Sequence, residues 1–271
     1  TARTAALQSG QVHAVNRVEP KVADLRGRAP NLTVHSTAGR GHYVFIMHCD
    51  TAPFDNNELR TALKYAINRA DLVDKVLRGY GSIGNDMPIN AAYPLFDETI
   101  PQREFSIEKA AEHYKKSGHS GTIQLSASDA AFAGAVDAAV LAAASAKEAG
   151  IDIEVVREPK DGYWSNVWNK KGWCMCYWGG RPTADWMFAT ASAEGVPWNE
   201  TYWSHPRFHE LLVQARSELA EGLRSEMYFE MQQIVSDEGG IIIPMFAAYV
   251  GAYSDALAHP ETIAGNWRND G

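Results

Sequence analysis

The segment Cys176 to Phe188, CYWGGRPTADWMF, concentrates residue types that contact ligands: aromatics, two adjacent glycines, an arginine and an aspartate. It sits in a wider aromatic region. Seven of the eight tryptophans lie between Trp164 and Trp203, the eighth being Trp267. Indole faces stack on sugars, apolar side chains and cations. At least half of these rings are expected to fill a core. Trp178, Trp186 and Trp198, which surround the Gly-Gly-Arg-Pro turn, are the candidates for a binding wall. The turn follows a strand, and ligands of α/β sheets gather at strand ends.

Other chemistries find less support. GRGHYV contains G-x-G, but Val44 stands where a third glycine would be needed, and the segment leads into a strand, not a helix. His42 and His48 share one strand face, with Asp50 two residues beyond, yet the short His/Cys/Glu spacing of a zinc site is missing. No G-x-S-x-G elbow or S-x-x-K motif is present. A glycosidase needs two acids flanking a sugar, and the sequence leaves that possibility open. Cys174 and Cys176 are two apart, not C-x-x-C, and together with Cys49 read as buried free thiols.

The elements that must position these residues follow from periodicity and caps. Residues 1–10 read as the end of a short helix stopped by Gly10, and QVHAV as a short strand. Two extended runs flank the Gly39–Gly41 turn, the second from His42 to Cys49. Asp55 or Asn56 caps a helix with Leu59, Leu63, Ala66 and Ile67 on one face; a second helix ends near Gly79. A long Gly/Pro-punctuated loop follows, GSIGNDMPINAAYPLFDETIPQ. Ser106 caps a helix to Lys116, TIQLSAS is a strand, 130–149 a helix, IDIEVVRE a strand, GYWSNVWNK a short helix and WCMCYW a strand. That rhythm is an α/β layer. Two further helices, the first capped by Ser204 or His205, precede closing strands in GGIIIPMFAAYVGAY.

Composition bounds the function. The chain has 271 residues, 45% hydrophobic and 21% charged, with net charge −8. This is ordinary globular composition for one or two domains. No basic cluster exceeds NKKG, which sets nucleic acid aside. The most apolar run, 130–149, is mostly alanine and carries Asp137, Lys147 and Glu148, so it reads as a packed helix rather than a membrane span.

Several segments, in order, resemble the family 5 extracytoplasmic solute-binding proteins, the dipeptide/oligopeptide-type components of ABC importers. They are AALQSGQVHAV, PFDNNELRTALKYAINRADLVDKVLRGYG, YWGGRPTADWMF, NETYWSHPRFHELLVQARSE and RSEMYFEMQQIVSDEGGIIIPMF. The resemblance implies a periplasmic-binding-protein-like α/β fold, mainly the second lobe, with a mixed sheet flanked by helices. Residues 1–35 would be a remnant of the first lobe, 36–245 the second, ligand-binding lobe, and 246–271 a return segment. The chain would then be a C-terminal portion of a longer, periplasmic, monomeric protein that captures a small solute and delivers it to permease subunits in the inner membrane. Neither cofactor nor metal nor catalysis is implied. The alternatives are a carbohydrate-active hydrolase with an aromatic cleft, or a ligand-sensing module.

The resemblance also names a loop. Peptide-binding members carry an aspartate there that pairs with the ligand's amino terminus, whereas this chain has Arg181. An arginine would repel an ammonium and favour a carboxylate or phosphate, as in a peptide-like, opine-like or anionic sugar ligand. The expected ligand-binding set is Trp178, Gly179, Gly180, Arg181, Asp185, Trp186 and Trp198. The glycines would let a ligand approach the backbone. Asp185 is the group that could instead occupy Arg181 in a salt bridge.

Overall fold

The computed structural model describes residues 2–26, 29 and 31–258. The elements are α1 (Ala2–Gln8), β1 (Ala14–Val15), α2 (Pro20–Arg26), β2 (Leu32–Thr37), β3 (His42–Met47), α3 (Asn57–Ala66), α4 (Arg69–Lys75), β4 (Gly81–Ile83), α5 (Ile107–Ser117), β5 (Ile123–Ala127), α6 (Ala135–Glu148), β6 (Ile153–Arg157), α7 (Tyr163–Asn166), β7 (Trp173–Trp178), α8 (Ala184–Ala191), α9 (Pro206–Ser217), α10 (Glu221–Glu238), β8 (Ile241–Ala247) and β9 (Tyr249–Ser254). Trp267 and the last part of 246–271 lie outside the described residues.

The larger sheet has six strands in the order β4-β8-β3-β7-β5-β6. It is mixed: β3 runs antiparallel to β7 and β8, while β5 is parallel to β6 and β7. The two inner strands, HYVFIM and WCMCYW, are almost wholly buried, as expected for strands covered on both faces. Pro244 lies inside β8, where the β3 pairing shifts register between Tyr43 and Phe45. A proline cannot donate to the ladder, and an irregularity accommodates it. One continuous core joins this sheet to helices α3, α4, α6, α8, α9 and α10.

A second, three-stranded antiparallel sheet has the order β1-β9-β2 and its own small core of Leu7, Val15 and Ala252. The two extended runs around Gly39–Gly41 therefore do not pair with each other. β2 belongs to the small sheet and β3 to the large one, so the turn is a crossover between sheets. The step from β8 to β9 is a second crossover.

Local signals hold where they rest on hydrogen bonds within a few residues. Asn56 caps α3 by accepting from the amides of Glu58 and Leu59, Ser106 caps α5, and His205 accepts from the Phe208 amide with Pro206 opening α9. The helix expected over 130–149 is shorter. It starts at Ala135 because Gly134 sits at φ +86°, a conformation no helix continues through. Three elements have no counterpart in the sequence reading: α2, β4 within the long loop, and α8. Cys174 and Cys176 are buried free thiols, and Cys49 is free and half-buried. Among the described residues no helix is long and apolar enough to cross a membrane.

Buried charges tie helices to the sheet. α10 has no basic residue in its last turn, so its terminal carbonyls need donors from elsewhere. Lys64 Nζ donates to the carbonyls of Ser236 (2.8 Å) and Gly239 (2.9 Å), and Arg60, one turn earlier on α3, donates to Glu238 O (2.7 Å). Asp86, fully buried, accepts from Arg69 (2.6 and 2.8 Å), Arg103 (3.0 Å) and the Ile243 amide (3.1 Å). Asp86→Asn would leave Arg69 buried without an anion, while Arg103 would keep only Asp237 (3.0 Å). We expect it to lower unfolding free energy by about 3–5 kcal/mol in urea titration; a loss under about 1 kcal/mol would show the cluster to be solvated.

His42 is also buried, tilted against Phe246, with Nδ1 3.0 Å from Arg40 O. Burial lowers its pKa to about 4, and the nearby Arg181 charge acts in the same direction. The folded form thus binds fewer protons than the unfolded one between pH 6.5 and about 4. His42 stabilises fully above pH 6.5 and loses that contribution as pH falls to about 4, a change of ~3 kcal/mol. The stability gap between wild type and His42→Gln should shrink by that amount over this window; a pH-independent gap would contradict it.

Candidate functional site

The site begins with backbone. β7 ends at Trp178, opposite His42 of β3. The chain then turns through Gly179 and Gly180. Gly180 has φ +80°, and a Cβ there would lie 2.5 Å from Arg40 Cβ and 3.0 Å from Arg40 O. Only glycine fits. The close approach that this glycine permits is to Arg40, within the protein.

Arg40 then holds the loop. Its Nη1 donates to Pro182 O (2.7 Å) and Arg181 O (3.3 Å), while Nε and Nη2 donate to Ala92 O at 3.0 and 2.8 Å. Its guanidinium lies 4.5 Å from the Tyr93 ring centroid. Tyr93 Oη accepts from the Arg181 amide (3.0 Å), and Tyr249 Oη donates to Gly179 O (3.3 Å). Residues 179–182 are therefore fixed by their main-chain groups, which leaves the side chain of Arg181 free for another task.

That side chain lies over two indoles. Arg181 Cζ is 5.1 Å from the Trp178 ring and 5.4 Å from the Trp198 ring, the two rings being edge-to-face at 5.6 Å. Nη1 donates to Gly180 O (2.8 Å). Among the described residues no carboxylate pairs with Arg181. Asp185 is engaged elsewhere: it accepts from Arg216 Nε (2.8 Å) and Nη2 (3.2 Å) and from Tyr228 Oη (3.1 Å). Asp185 thus joins α8 to α9 and α10, and the salt bridge considered from the sequence does not form.

Arg181 borders a cavity of about 480 Å³ lined by Trp164, Trp168, Cys176, Tyr177, Trp178, Gly179, Arg181, Trp198 and Glu200. Of the residues expected from the sequence, Trp178, Gly179, Arg181 and Trp198 border it. Gly180 contributes only the carbonyl under the guanidinium. Asp185 and Trp186 do not line it; Trp186 sits half-exposed in the first turn of α8, which Thr183 caps. Of the seven described tryptophans, Trp173, Trp178 and Trp203 are buried and Trp168 is half-buried against the core, while Trp164, Trp186 and Trp198 are exposed.

Glu200 is the residue that sequence reasoning missed. It is 4% exposed and its two oxygens accept from Trp168 Nε1 (2.5 Å) and Trp178 Nε1 (2.9 Å). Burial pushes its carboxyl upward, against the two indole donors that favour the ionised form. Its neighbours hold it in place: Asn199 Nδ2 donates to Trp203 O (2.7 Å), and the Cys49 amide donates to Thr201 O (2.7 Å). Burial and the Glu200 charge push the Cys176 thiol well above its usual range, so it is a neutral wall group. Trp164 and Trp168 carried a usable signal, since four-residue spacing puts two rings on one side of a helical turn. Glu200 carried none, because an acid in an irregular segment has no periodicity.

His42 and His48 separate. His42 lies behind the loop against Phe246, and His48 packs edge-on against Tyr202 at 4.9 Å.

Comparison with known proteins bears on the family and the fold. Residues 1–199 match the model of the bacterial extracellular solute-binding proteins, family 5 Middle. Di/tripeptide-binding protein 1 of Pseudomonas aeruginosa (strain UCBPP-PA14) is 32% identical over 117 residues, 43% of this chain and 21% of that protein. Among solved structures, the periplasmic binding protein DppA from Helicobacter pylori in complex with peptide STSA superposes with a TM-score of 0.81 at 18% identity, covering 95% of this chain and 51% of that one. NikZ from Campylobacter jejuni in complex with Ni(L-His) gives 0.82 at 15% identity, covering 98% and 57%. The chain spans about half the length of these structures and aligns with about a fifth of the curated relative. By the match over residues 1–199, the chain belongs to the bacterial extracellular solute-binding proteins, family 5.

Proposed function

We propose that this chain is the ligand-binding lobe of the extracytoplasmic component of an ABC importer. In this reading it captures a small organic anion between two lobes for delivery to a permease in the inner membrane. Residues 36–245 form that lobe, and the β1-β9-β2 sheet joins it to a first lobe. Binding uses no catalysis: the ligand prefers the closed arrangement and so shifts the hinge equilibrium. The two crossovers between sheets are the segments that would bend.

The observation that carries the reading is Arg181. A guanidinium lies on two tryptophan faces at the rim of a cavity, without a carboxylate partner among the described residues. The indole faces hold the guanidinium plane, leaving in-plane N–H groups for a carboxylate or phosphate. Aromatic walls supply contact area for the rest of the ligand, and a volume near 480 Å³ is in the ordinary range for a small-molecule pocket. The family itself supports binding rather than turnover, since the proteins it resembles are binding proteins.

The test is calorimetry on the protein expressed from its complete reading frame, with peptides, opines, sugar phosphates and their uncharged counterparts. Anionic members should bind best, and Arg181→Gln should weaken them by roughly 10- to 100-fold, the value of a charge-assisted hydrogen bond or two. If uncharged counterparts bind equally well and the substitution changes nothing, the anion reading fails.

A further inference from the structure

Glu200 sets a charge problem for any anion held by Arg181. Its carboxyl is buried, and its hydrogen bonds come from two neutral donors, Trp168 Nε1 and Trp178 Nε1. Among the described residues no Lys, Arg or His pairs with it. Arg181 borders the same cavity but rests on Trp178 and Trp198. The groups of β7 that face Glu200 are thiols: Cys176, held well above its usual range by burial and by the Glu200 charge, and Cys174, pushed up to about 12 by the same two causes. Its own segment adds only the amide of Asn199 and the hydroxyl of Thr201, and the remaining walls are the rings of Trp164, Tyr177 and Trp198. By itself the cavity is thus balanced, with one cation and one anion. An anionic ligand on Arg181 leaves one negative charge in excess. Two anions that share a site do not both stay ionised; the pKa of one of them rises. Glu200 is the one placed to yield, because burial already opposes its charged form.

We propose that Glu200 couples capture of the ligand to uptake of a proton: a monoanion settles on Arg181, solvent delivers a proton to a Glu200 oxygen, and the carboxylic acid so formed presents its O–H to an uncharged acceptor of the ligand. This rests on the reading of Arg181 as the anion anchor. A protonated carboxyl gains a donor and keeps acceptor capacity, so the indoles of Trp168 and Trp178 stay bound while the O–H turns to the cavity. Glu200 thereby sets specificity. The cavity takes one negative charge with a carbonyl or hydroxyl beyond it, and a dianion meets an acid that can neutralise only one excess charge.

The test uses two carboxylates with no other titrating group near neutrality, N-acetyl-L-alanyl-L-phenylalanine and D-glucuronate, each beside its uncharged carboxamide. Calorimetry on the complete protein, in buffers of different ionisation enthalpy between about pH 5.5 and 8.5, counts the protons taken up. A carboxylate that binds should bring in up to about one proton, and its affinity should rise by up to about tenfold per unit as pH falls, because the bound state holds the Glu200 proton to higher pH than the free state. The carboxamides should show neither effect. Glu200→Gln, a fixed stand-in for the neutral acid, should take up no proton and should bind the carboxylate at the alkaline end as tightly as wild type does at the acidic end. A carboxylate that binds wild type in preference to its carboxamide, with no proton uptake anywhere in this range, overturns the inference and leaves the anion reading standing; that comparison needs no variant to fold. Proton uptake that persists in Glu200→Gln overturns it as well. If neither carboxylate binds better than its carboxamide, both fall.

Discussion

The grip of Arg40 on the loop 179–182 is the interaction on which the site depends. One guanidinium takes carbonyls from Ala92, Arg181 and Pro182, and its own backbone occupies the space that a side chain at position 180 would need. Because main-chain groups do the holding, the side chain of Arg181 is left over. It comes to rest on indoles, a weak and reversible attachment compared with a salt bridge. A cation so placed is fixed in direction yet available to an anion.

The same grip links the site to the architecture. Arg40 belongs to the crossover between the small and large sheets, and Tyr249, which donates to Gly179, opens β9 just after the second crossover. In the reading we propose, the crossovers that would flex between lobes also hold the loop 179–182. The hydrogen bonds of Arg40 and Tyr249 thus tie the loop to both crossovers. Asp185 plays the complementary part on the other side, binding α8 to α9 and α10 through Arg216 and Tyr228, so that the chain leaving the loop is anchored as well.

Much of the fold was legible in the sequence because local hydrogen bonding writes itself into residue type. Asn56, Ser106 and His205 cap helices where their spacing to apolar runs says they should, and the buried runs of β3 and β7 read as strands. What was not legible depends on distant partners. β4 is three residues whose strand character comes from β8, and sheet membership of β2 comes from β9. α8 carries its cap, Thr183, in plain view, but the aromatic residues around it resemble a binding loop. In the site, Arg181 was legible from its contrast with the family, as were Trp178 and Trp198 from their place beside the turn. Glu200 was not, because only the folded chain brings it beneath Trp168 and Trp178.

The most direct measurement is the ¹⁵N signal of the Arg181 side chain in the complete protein, assigned by its loss in Arg181→Gln. The indole faces of Trp178 and Trp198 should shift its Nε–H resonance from the solvent-exposed position. Titration with the tightest-binding anion should then move that resonance in step with binding. An arginine signal at the solvent position, unaffected by a ligand that demonstrably saturates the protein, would contradict the account.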